Sequence, residues 1–429
     1  MPAIHFSYEN DTLCVEHVPL TDIARQYGTP LYIYSKAALT ENYRAYADAC
    51  KQHQHPDAPA LVCFSVKSNS NLAVLKILGD LGAGFDIVSG GELSRVIAAG
   101  CDPRKVIFSG VGKTAEEIHF ALQNDILCFN IESPAELHRI NEIAGEMGTI
   151  ARIAFRVNPD VDAKTHPYIS TGLKENKFGI TYDDAFACYQ TAAAMPNIVI
   201  TGIDCHIGSQ LLDDAPLLEA FDRLVVLFDR LTDAGIELQH MDIGGGIGIT
   251  YNQEKPVAIP DYISRLYARI NQWRQNRYSG KPIKLILEPG RSISGNTGIL
   301  LTEIQYLKTN AAKNYAVVDA AMNDLMRPAM YEAWHAILPV EKRNATAATY
   351  DIVGPICESG DWLARQRELA VEAGDLLAIM SAGAYGMVMA SNYNTRGRAA
   401  EIIVDNGQTH LVRRRETPED LFAFEKVLP

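Results

Sequence analysis

The feature that most constrains this chain is a unit that recurs between about residues 61 and 291. Each unit is a short apolar run rich in β-branched residues, followed by a polar turn and a stretch with helical periodicity. Strands that are apolar on both faces and alternate with amphipathic helices predict a (β/α)8 barrel. A doubly wound sheet is the alternative, because periodicity alone cannot show that a sheet closes. The eight candidate strands are LVCFSV, GFDIVS, VIFSG, LCFNIE, IAFRVN, IVITGIDCHI, HMDIGGG and IKLILEP.

The pattern changes after Arg291. Short strand-like runs with Gly, Asn and Pro turns replace the alternation, and helices become rare apart from a last one capped by Thr417 and Pro418. These runs are ILLTEIQYLK, NYAVVDAAM, TYDIVGPI, DLLAIMS, AAEIIVD and QTHLVRRR. Near the start of the chain, the runs IHFSYENDTLCVEHV and TPLYIYS also have the pattern of strands. We therefore predict a barrel domain at residues 36–285, and a mainly β domain formed by residues 1–35 together with 286–429.

Composition excludes several classes of protein. The net charge of −13 argues against binding to nucleic acid or to an anionic membrane surface, because both need basic patches. No apolar run approaches the ~20 residues of a membrane-spanning helix, and the first residues lack a signal-peptide pattern. The eight cysteines form no CxxC pair and no Cys/His cluster with metal-binding spacing. We expect a cytoplasmic protein without a metal site.

The strand ends carry an unusual set of side chains. Active sites of barrels lie at the carboxyl ends of the strands. A single polar strand end is ordinary, because every strand must exit into water, but one lysine, one histidine, two arginines and several carboxylates together indicate a site for an anionic ligand with acid–base needs. In chain order these ends carry Lys67, Asp86 with Ser89, Ser109, Glu132, Arg156 with Asn158, His206 with Ser209, Gly244 to Gly246, and Glu288 with Arg291.

A glycine cluster, DIGGGIGI at residues 242–249, follows the seventh strand. It could be a tight turn, or a place where backbone N–H groups approach a phosphate. The spacing fits neither G-x-G-x-x-G, since Ile249 takes the third position, nor the P-loop. A phosphate cup combined with a lysine, a carboxylate and a histidine at neighbouring strand ends suggests pyridoxal phosphate (PLP), which a lysine holds covalently while a carboxylate keeps the pyridine nitrogen protonated.

Seven segments make the chain resemble a known family. They are VDAKTHPYISTGLKENKFGI, HIGSQ, GGGIGI, EPGRS, AAMNDLMRPAMYEAWH, GPICESGD and GAYGMVMASNYN. They match, in the family's order and over nearly the whole chain, the diaminopimelate decarboxylases of the alanine-racemase-like (type III) class of PLP enzymes. One departure is FSVKSN, where the family more often has alanines. The resemblance implies decarboxylation of meso-2,6-diaminopimelate to L-lysine and CO2, the last step of lysine biosynthesis.

The resemblance also implies a role for each matching residue. Lys67 corresponds to the Schiff-base lysine and Cys357 to the proton donor. Arg291, Arg327 and Tyr331 correspond to residues that hold the distal carboxylate of the substrate, Glu358 to the one that binds its distal ammonium, and Tyr385 to a ligand of cofactor and substrate. In this family Cys357 and Glu358 reach the partner's site, which implies a homodimer with shared sites whose mainly β domain completes the active site and the dimer interface. The expected cofactor-binding residues are Lys67, Asp86, His206, Ser209, Gly245, Gly246, Gly248, Glu288, Pro289, Gly290, Arg291 and Tyr385.

Four alternatives stay open. An amino-acid racemase of this fold would lack the CES motif and need a tyrosine as opposing base. Ornithine and arginine decarboxylases act on substrates without a distal carboxylate, whereas the arginines of MNDLMRP and EPGRS favour a substrate with one; a related substrate of a specialised pathway also fits. A catalytically inactive regulatory homologue would be expected to lose Lys67 or Cys357, and both are present.

Overall fold

The computed structural model describes residues 5–162, 177–277 and 281–429. The chain divides into two compact units. The barrel unit comprises Asn42–Ile249 and Lys255–Ser292, and the β unit comprises Met1–Glu41, Thr250–Glu254 and Ile293–Pro429. Of the family segment at residues 161–180, residues 163–176 lie outside the described ranges.

Eight parallel strands of the barrel unit close on themselves, as the alternating pattern predicts. The closing pair joins the last strand to the first, with Ile286 opposite Leu61, and every other strand pairs in parallel with its neighbour in the ring. Barrel strands one to eight are Leu61–Ser65, Gly84–Ile87, Val106–Phe108, Cys128–Ile131, Ala151–Asn158, Ile198–Asp204, His240–Asp242 and Lys284–Leu287. The predicted (β/α)8 barrel is confirmed.

Helices follow the barrel strands and begin at capping residues. The Thr114 side chain accepts from the Glu117 N–H and Glu117 caps in return, and Ser133 precedes Pro134 at the next helix start. The helices are Leu72–Asp80, Gly90–Ala98, Ala115–Gln123, Pro134–Glu146, Tyr182–Ala193, Ala215–Asp233 and Ile259–Arg277, and the helices Lys36–His53 and Arg291–Ser294 fall where the chain passes between units. Among the helices that the structure describes, none is both long and apolar enough to cross a membrane.

The β unit contains a sheet formed by both ends of the chain. Strand Leu31–Ser35 pairs antiparallel with Gly298–Thr309 and parallel with Ala400–Asp405. This pairing explains why strands from the start of the sequence belong with the C-terminal ones, as predicted. The other strands of this sheet are Asn314–Val318, Ile337–Pro339, Ala348–Val353, Trp362–Leu369, Leu376–Ile379 and Gln408–Arg413; a separate small sheet contains Phe6–Glu9, Thr12–Val15 and Val18–Pro19.

The β unit also differs from the sequence prediction in two elements. Trp362–Leu369 is a strand whose residues 365–368 are all polar or charged, because only Leu363, Ala364 and Leu369 are fully buried and the other side chains reach the surface. Between the two strand runs predicted near the start of the chain lies a helix that the sequence analysis did not predict, Leu20–Tyr27, which packs Leu20 and Ile23 into the apolar core of the β unit. Two further short helices are Arg327–Tyr331 and Pro418–Leu421, the second at the predicted Thr417 cap.

Candidate active site

Lys67 and Asp86 form an ion pair at the carboxyl ends of barrel strands one and two. The Lys67 ammonium lies 2.5 Å from Oδ2 of Asp86, a side chain with no exposed surface. The Ser65 hydroxyl donates to the same oxygen at 2.7 Å. Ser68 in turn donates to the Ser65 carbonyl. The two serines that depart from the family pattern are thus part of the hydrogen bonding that holds this turn.

Glu288 lies in a group of three buried acids. Its carboxylate and those of Asp204 and Asp242 approach within 4.8 Å of one another. Burial first, and the neighbouring acids second, raise the pKa of Glu288 well above its usual value, and burial raises the pKa of Asp242 to about 7. Three adjacent buried carboxylates cannot all be ionised, so the group retains a proton at neutral pH. Carboxylate oxygens are also ligands of metal cations. For this reason the expected absence of a metal site stays a prediction.

His206 follows the sixth strand and is held in its neutral form. The backbone N–H of Gly245 donates to its Nδ1 at 3.3 Å. Burial, followed by the positive charges of Arg156 and Lys67, lowers the pKa of His206 well below its usual value. Arg156 itself pairs with Glu132 at 3.1 Å. The result is an uncharged aromatic ring among cationic side chains, which suits packing against another aromatic ring.

The HIGSQ and GGGIGI segments are joined to each other. The Gln210 side chain donates to the Ile249 carbonyl and accepts from the Ile249 N–H. The Leu211 N–H donates to the Gly246 carbonyl, and the Gly248 N–H donates back to Leu211. The two strand ends therefore form one rigid rim.

Glycine is required within this rim. A Cβ on Gly245 would overlap the carbonyl of Glu288, and Gly246 has a φ of 116°. A Cβ on Gly290 would lie 2.9 Å from that of Ser65. Beside this rim, Nε and Nη2 of Arg291 each lie 3.2 Å from the Ser209 hydroxyl. Phosphate groups are typically bound by cationic side chains, by hydroxyl groups and by backbone N–H groups that a ligand can approach closely.

The barrel unit fits PLP on these observations. Glu288 Oε1 is buried and has no hydrogen-bond partner among the described residues, and such an orphaned acceptor is costly unless a donor such as a pyridinium N–H reaches it. The glycines leave a cradle that any Cβ would fill. Of the predicted cofactor residues, the barrel unit contains Lys67, Asp86, His206, Ser209, Gly245, Gly246, Gly248, Glu288, Pro289, Gly290 and Arg291.

The predicted substrate residues other than Arg291 lie in the β unit. Arg327 and Tyr331 begin and end one short helix, and Arg327 is largely buried. Tyr385 lies in a loop with a φ of 55°, an uncommon value for a residue with a side chain.

Cys357 and Glu358 share an exposed turn of the β unit. The buried Asp361 organises this turn, because its carboxylate accepts from the Ile356 and Met322 N–H groups, each at 2.7 Å. The Cys357 N–H donates to the Asn394 side chain.

Sequence reasoning missed several residues of these two groups. Asp204 and Asp242 lie within apolar runs, Gln210 ends the HIGSQ segment, and Asp361 ends the GPICESGD segment, for which the sequence predicts no role of that residue. The position of Asp204 and Asp242 within apolar strands could have identified them. A buried ionisable group is costly, and such groups are frequent at functional sites.

Comparison with known proteins agrees with these observations. Residues 38–295 match the family described as pyridoxal-dependent decarboxylase, pyridoxal binding domain. Diaminopimelate decarboxylase of Pseudomonas aeruginosa is 55% identical over 99% of both chains, and that of Vibrio cholerae is 52% identical over 99% of both. The crystal structure of diaminopimelate decarboxylase from M. jannaschii in complex with L-lysine has a TM-score of 0.95 at 38% identity, covering 100% of this chain and 99% of that one. The chain therefore belongs to the diaminopimelate decarboxylase family of pyridoxal-dependent decarboxylases.

Proposed function

We propose that this chain is a PLP-dependent carboxy-lyase that converts meso-2,6-diaminopimelate into L-lysine and CO2, the last step of lysine biosynthesis. The observation that carries the proposal is Glu288, a buried carboxylate with an oxygen that lacks a hydrogen-bond partner among the described residues. It lies one strand from the Lys67–Asp86 pair, as the parallel pairing of strands eight and one requires. The diaminopimelate decarboxylases among its relatives match it end to end.

The barrel unit supplies the groups that such a reaction needs. PLP, when bound, supplies an aldehyde for covalent attachment and a ring that withdraws electrons from Cα as CO2 leaves. Lys67 is the amine for that attachment, and Asp86 orients it. Glu288 would hold a proton at the pyridine nitrogen, the neutral ring of His206 would pack against the cofactor ring, and the glycine rim with Ser209 would bind the phosphate.

The product identifies the end of the substrate that the chain must bind without changing it. The meso compound has one centre of each hand, and L-lysine keeps the L centre, so the carboxylate at the D centre is the one lost. The L-centre carboxylate stays throughout. We assign it to Arg291, Arg327 and Tyr331 and the L-centre ammonium to Glu358, on the family resemblance, with Tyr385 contacting both substrate and cofactor.

We further propose that the chain works as a cytoplasmic homodimer with shared sites. Cys357 is exposed in the single chain and shares its turn with Glu358. An exposed thiol can give a proton and recover it from water, which suits the role of proton donor to Cα in the partner's site.

Product analysis tests the proposed function. The purified chain with PLP is given meso-2,6-diaminopimelate, L-ornithine or L-arginine, and L-lysine, the corresponding amines and CO2 are quantified. We expect L-lysine and CO2 in equal amounts from the first substrate, and none from Lys67→Ala. A higher kcat/KM for ornithine or arginine would contradict the substrate, and bound PLP without turnover of any of them would favour an inactive regulatory homologue.

A further inference from the structure

Arg327 has an unusual neutral partner within the β unit. Its Nη1 lies 3.0 Å from Nε2 of His335, and His335 has no exposed surface. Nδ1 of His335 lies 2.8 Å from the Met380 carbonyl oxygen. A carbonyl can only accept and a guanidinium can only donate, so Nδ1 carries the hydrogen and Nε2 presents its lone pair to Arg327. The contacts thus define one neutral tautomer.

Tyr251 packs against both members of this pair. The Arg327 guanidinium lies 4.7 Å from the centroid of the Tyr251 ring. The same ring meets His335 edge to face, with centroids 5.3 Å apart and planes at 80°. The guanidinium is therefore held along one edge by an acceptor and across one face by an aromatic ring, which fixes both its plane and its rotation about its long axis.

The neutrality of His335 has a chemical consequence. A carboxylate in its place would offset the charge of Arg327, whereas a neutral imidazole accepts a hydrogen bond without offsetting that charge. A guanidinium with a fixed plane can bind a carboxylate through two parallel hydrogen bonds. This binding weakens when the guanidinium rotates out of the plane of the carboxylate.

We propose that His335, supported by Tyr251, is the positioning residue that orients Arg327 towards the retained carboxylate of the substrate, and that it thereby sets the preference for ligands that carry this carboxylate. The inference rests on the proposed function, in which Arg327 binds that group. A purely structural role for His335 is the competing explanation. The backbone of His335 has its own anchor, since Arg367 donates to its carbonyl at 3.1 Å, so variants of the ring retain that anchor.

Two amide substitutions separate the roles of the two ring nitrogens. In His335→Asn the amide nitrogen matches Nδ1 and keeps the bond to Met380, but no atom reaches Arg327. In His335→Gln the amide oxygen matches Nε2 and restores the acceptor for Arg327. Tyr251→Leu removes the supporting ring and gives a further test should one of these variants fail to fold.

The experiment measures binding of two ligands to the holoenzyme by calorimetry. L-lysine carries the retained carboxylate, and 1,5-diaminopentane is the same molecule without it. We expect His335→Asn to weaken L-lysine binding about 10-fold, as a misplaced bidentate partner would, with diaminopentane binding almost unchanged. His335→Gln should recover most of the loss, and Tyr251→Leu should act in the same direction as His335→Asn.

Arg327→Met distinguishes failure of this inference from failure of the proposed function. If Arg327→Met removes the preference for L-lysine but His335→Asn leaves it intact, or weakens both ligands equally, His335 is structural and the inference is wrong. If Arg327→Met also leaves the preference intact, the assignment of Arg327 to the carboxylate is wrong. Absence of L-lysine formation by the unaltered chain would contradict the proposed function itself.

Discussion

The ammonium of Lys67 donates to Oδ2 of Asp86 across two adjacent barrel strands, in which Ser65 and Asp86 are in register. The parallel pairing places the residue two positions beyond the end of strand one beside a buried acid of strand two. Asp86 is fully buried, while the Lys67 side chain is about one third exposed. The pair therefore keeps a reactive amine accessible while its counter-ion stays inside the barrel.

Removal of the lysine should leave a buried charge without its partner. We expect Lys67→Ala to lower the free energy of unfolding of the cofactor-free protein by about 1–3 kcal/mol. The double variant Lys67→Ala/Asp86→Asn should recover part of that loss, because the remaining side chain is neutral. Urea denaturation of cofactor-free protein measures both.

Lys36 provides the matched control. It pairs with Asp405 at 2.6 Å, but both side chains are partly exposed, so Lys36→Ala should cost at most about 1 kcal/mol. Equal losses for the two lysine variants, or no recovery in the double variant, would show that Asp86 does not depend on Lys67 for stabilisation.

The glycine rim should not tolerate a single added methyl group. Gly245→Ala places a Cβ against the Glu288 carbonyl, which must shift the strand end that carries Glu288. We expect PLP affinity to fall at least about 10-fold, since phosphate binding depends on close backbone approach. Gly112→Ala is the control, because nothing lies within 4 Å of the added atom. Titration of PLP into both variants measures this. Unchanged affinity in Gly245→Ala would show that Gly245 serves only the turn and not phosphate binding.

Most of the barrel could be predicted because its strands are buried on both faces. A continuous apolar run such as Leu61–Ser65 stands out between polar turns, and a strand end follows directly from where that run stops. The positions of Lys67, His206 and Glu288 at strand ends can be predicted for this reason, whereas their roles come from the family resemblance. The Trp362–Leu369 strand was missed because its exposed face is charged, so its sequence lacks the apolar alternation on which a strand prediction depends.

The sequence pattern does not show in which direction a side chain points. Asp242 lies within HMDIG, where the sequence cannot distinguish an acid pointing into the barrel from one that begins the turn. Its place beside Glu288 depends on the register of two separate strands, Met241 being opposite Leu285. The same holds for His335 and Arg327, whose contact requires the fold of the chain between them.

Cys357 offers a test of the shared site. In a homodimer with shared sites, inactive Lys67→Ala chains mixed with inactive Cys357→Ala chains form mixed dimers with one intact site. Random exchange makes about half of the dimers mixed, so activity should rise to about a quarter of that of the unaltered protein. Cys101→Ala, at a half-buried cysteine whose thiol donates to the Leu75 carbonyl, should be active without mixing. Demonstrated subunit exchange without recovered activity would place Cys357 in its own chain's site or exclude it as the donor.

His240 should make the fold sensitive to acid. It is buried in barrel strand seven, its Nε2 has no hydrogen-bond partner among the described residues, and burial followed by the charge of Lys284 lowers its pKa to about 3. The unfolded chain takes up a proton near the ordinary histidine value of about 6.5, well before the folded chain does, so stability falls as the pH drops from about 6.5 towards 3. Between pH 7 and pH 5 this one group should cost about 2 kcal/mol.

His240→Met removes that titration while filling the same space, so its stability should vary less with pH than that of the unaltered chain. Urea denaturation at pH 7, 6 and 5 compares the two proteins. Gly202 packs directly against the His240 ring, and the ring is buried in the folded chain. Parallel stability curves for His240→Met and the unaltered chain would therefore mean that another group controls acid unfolding.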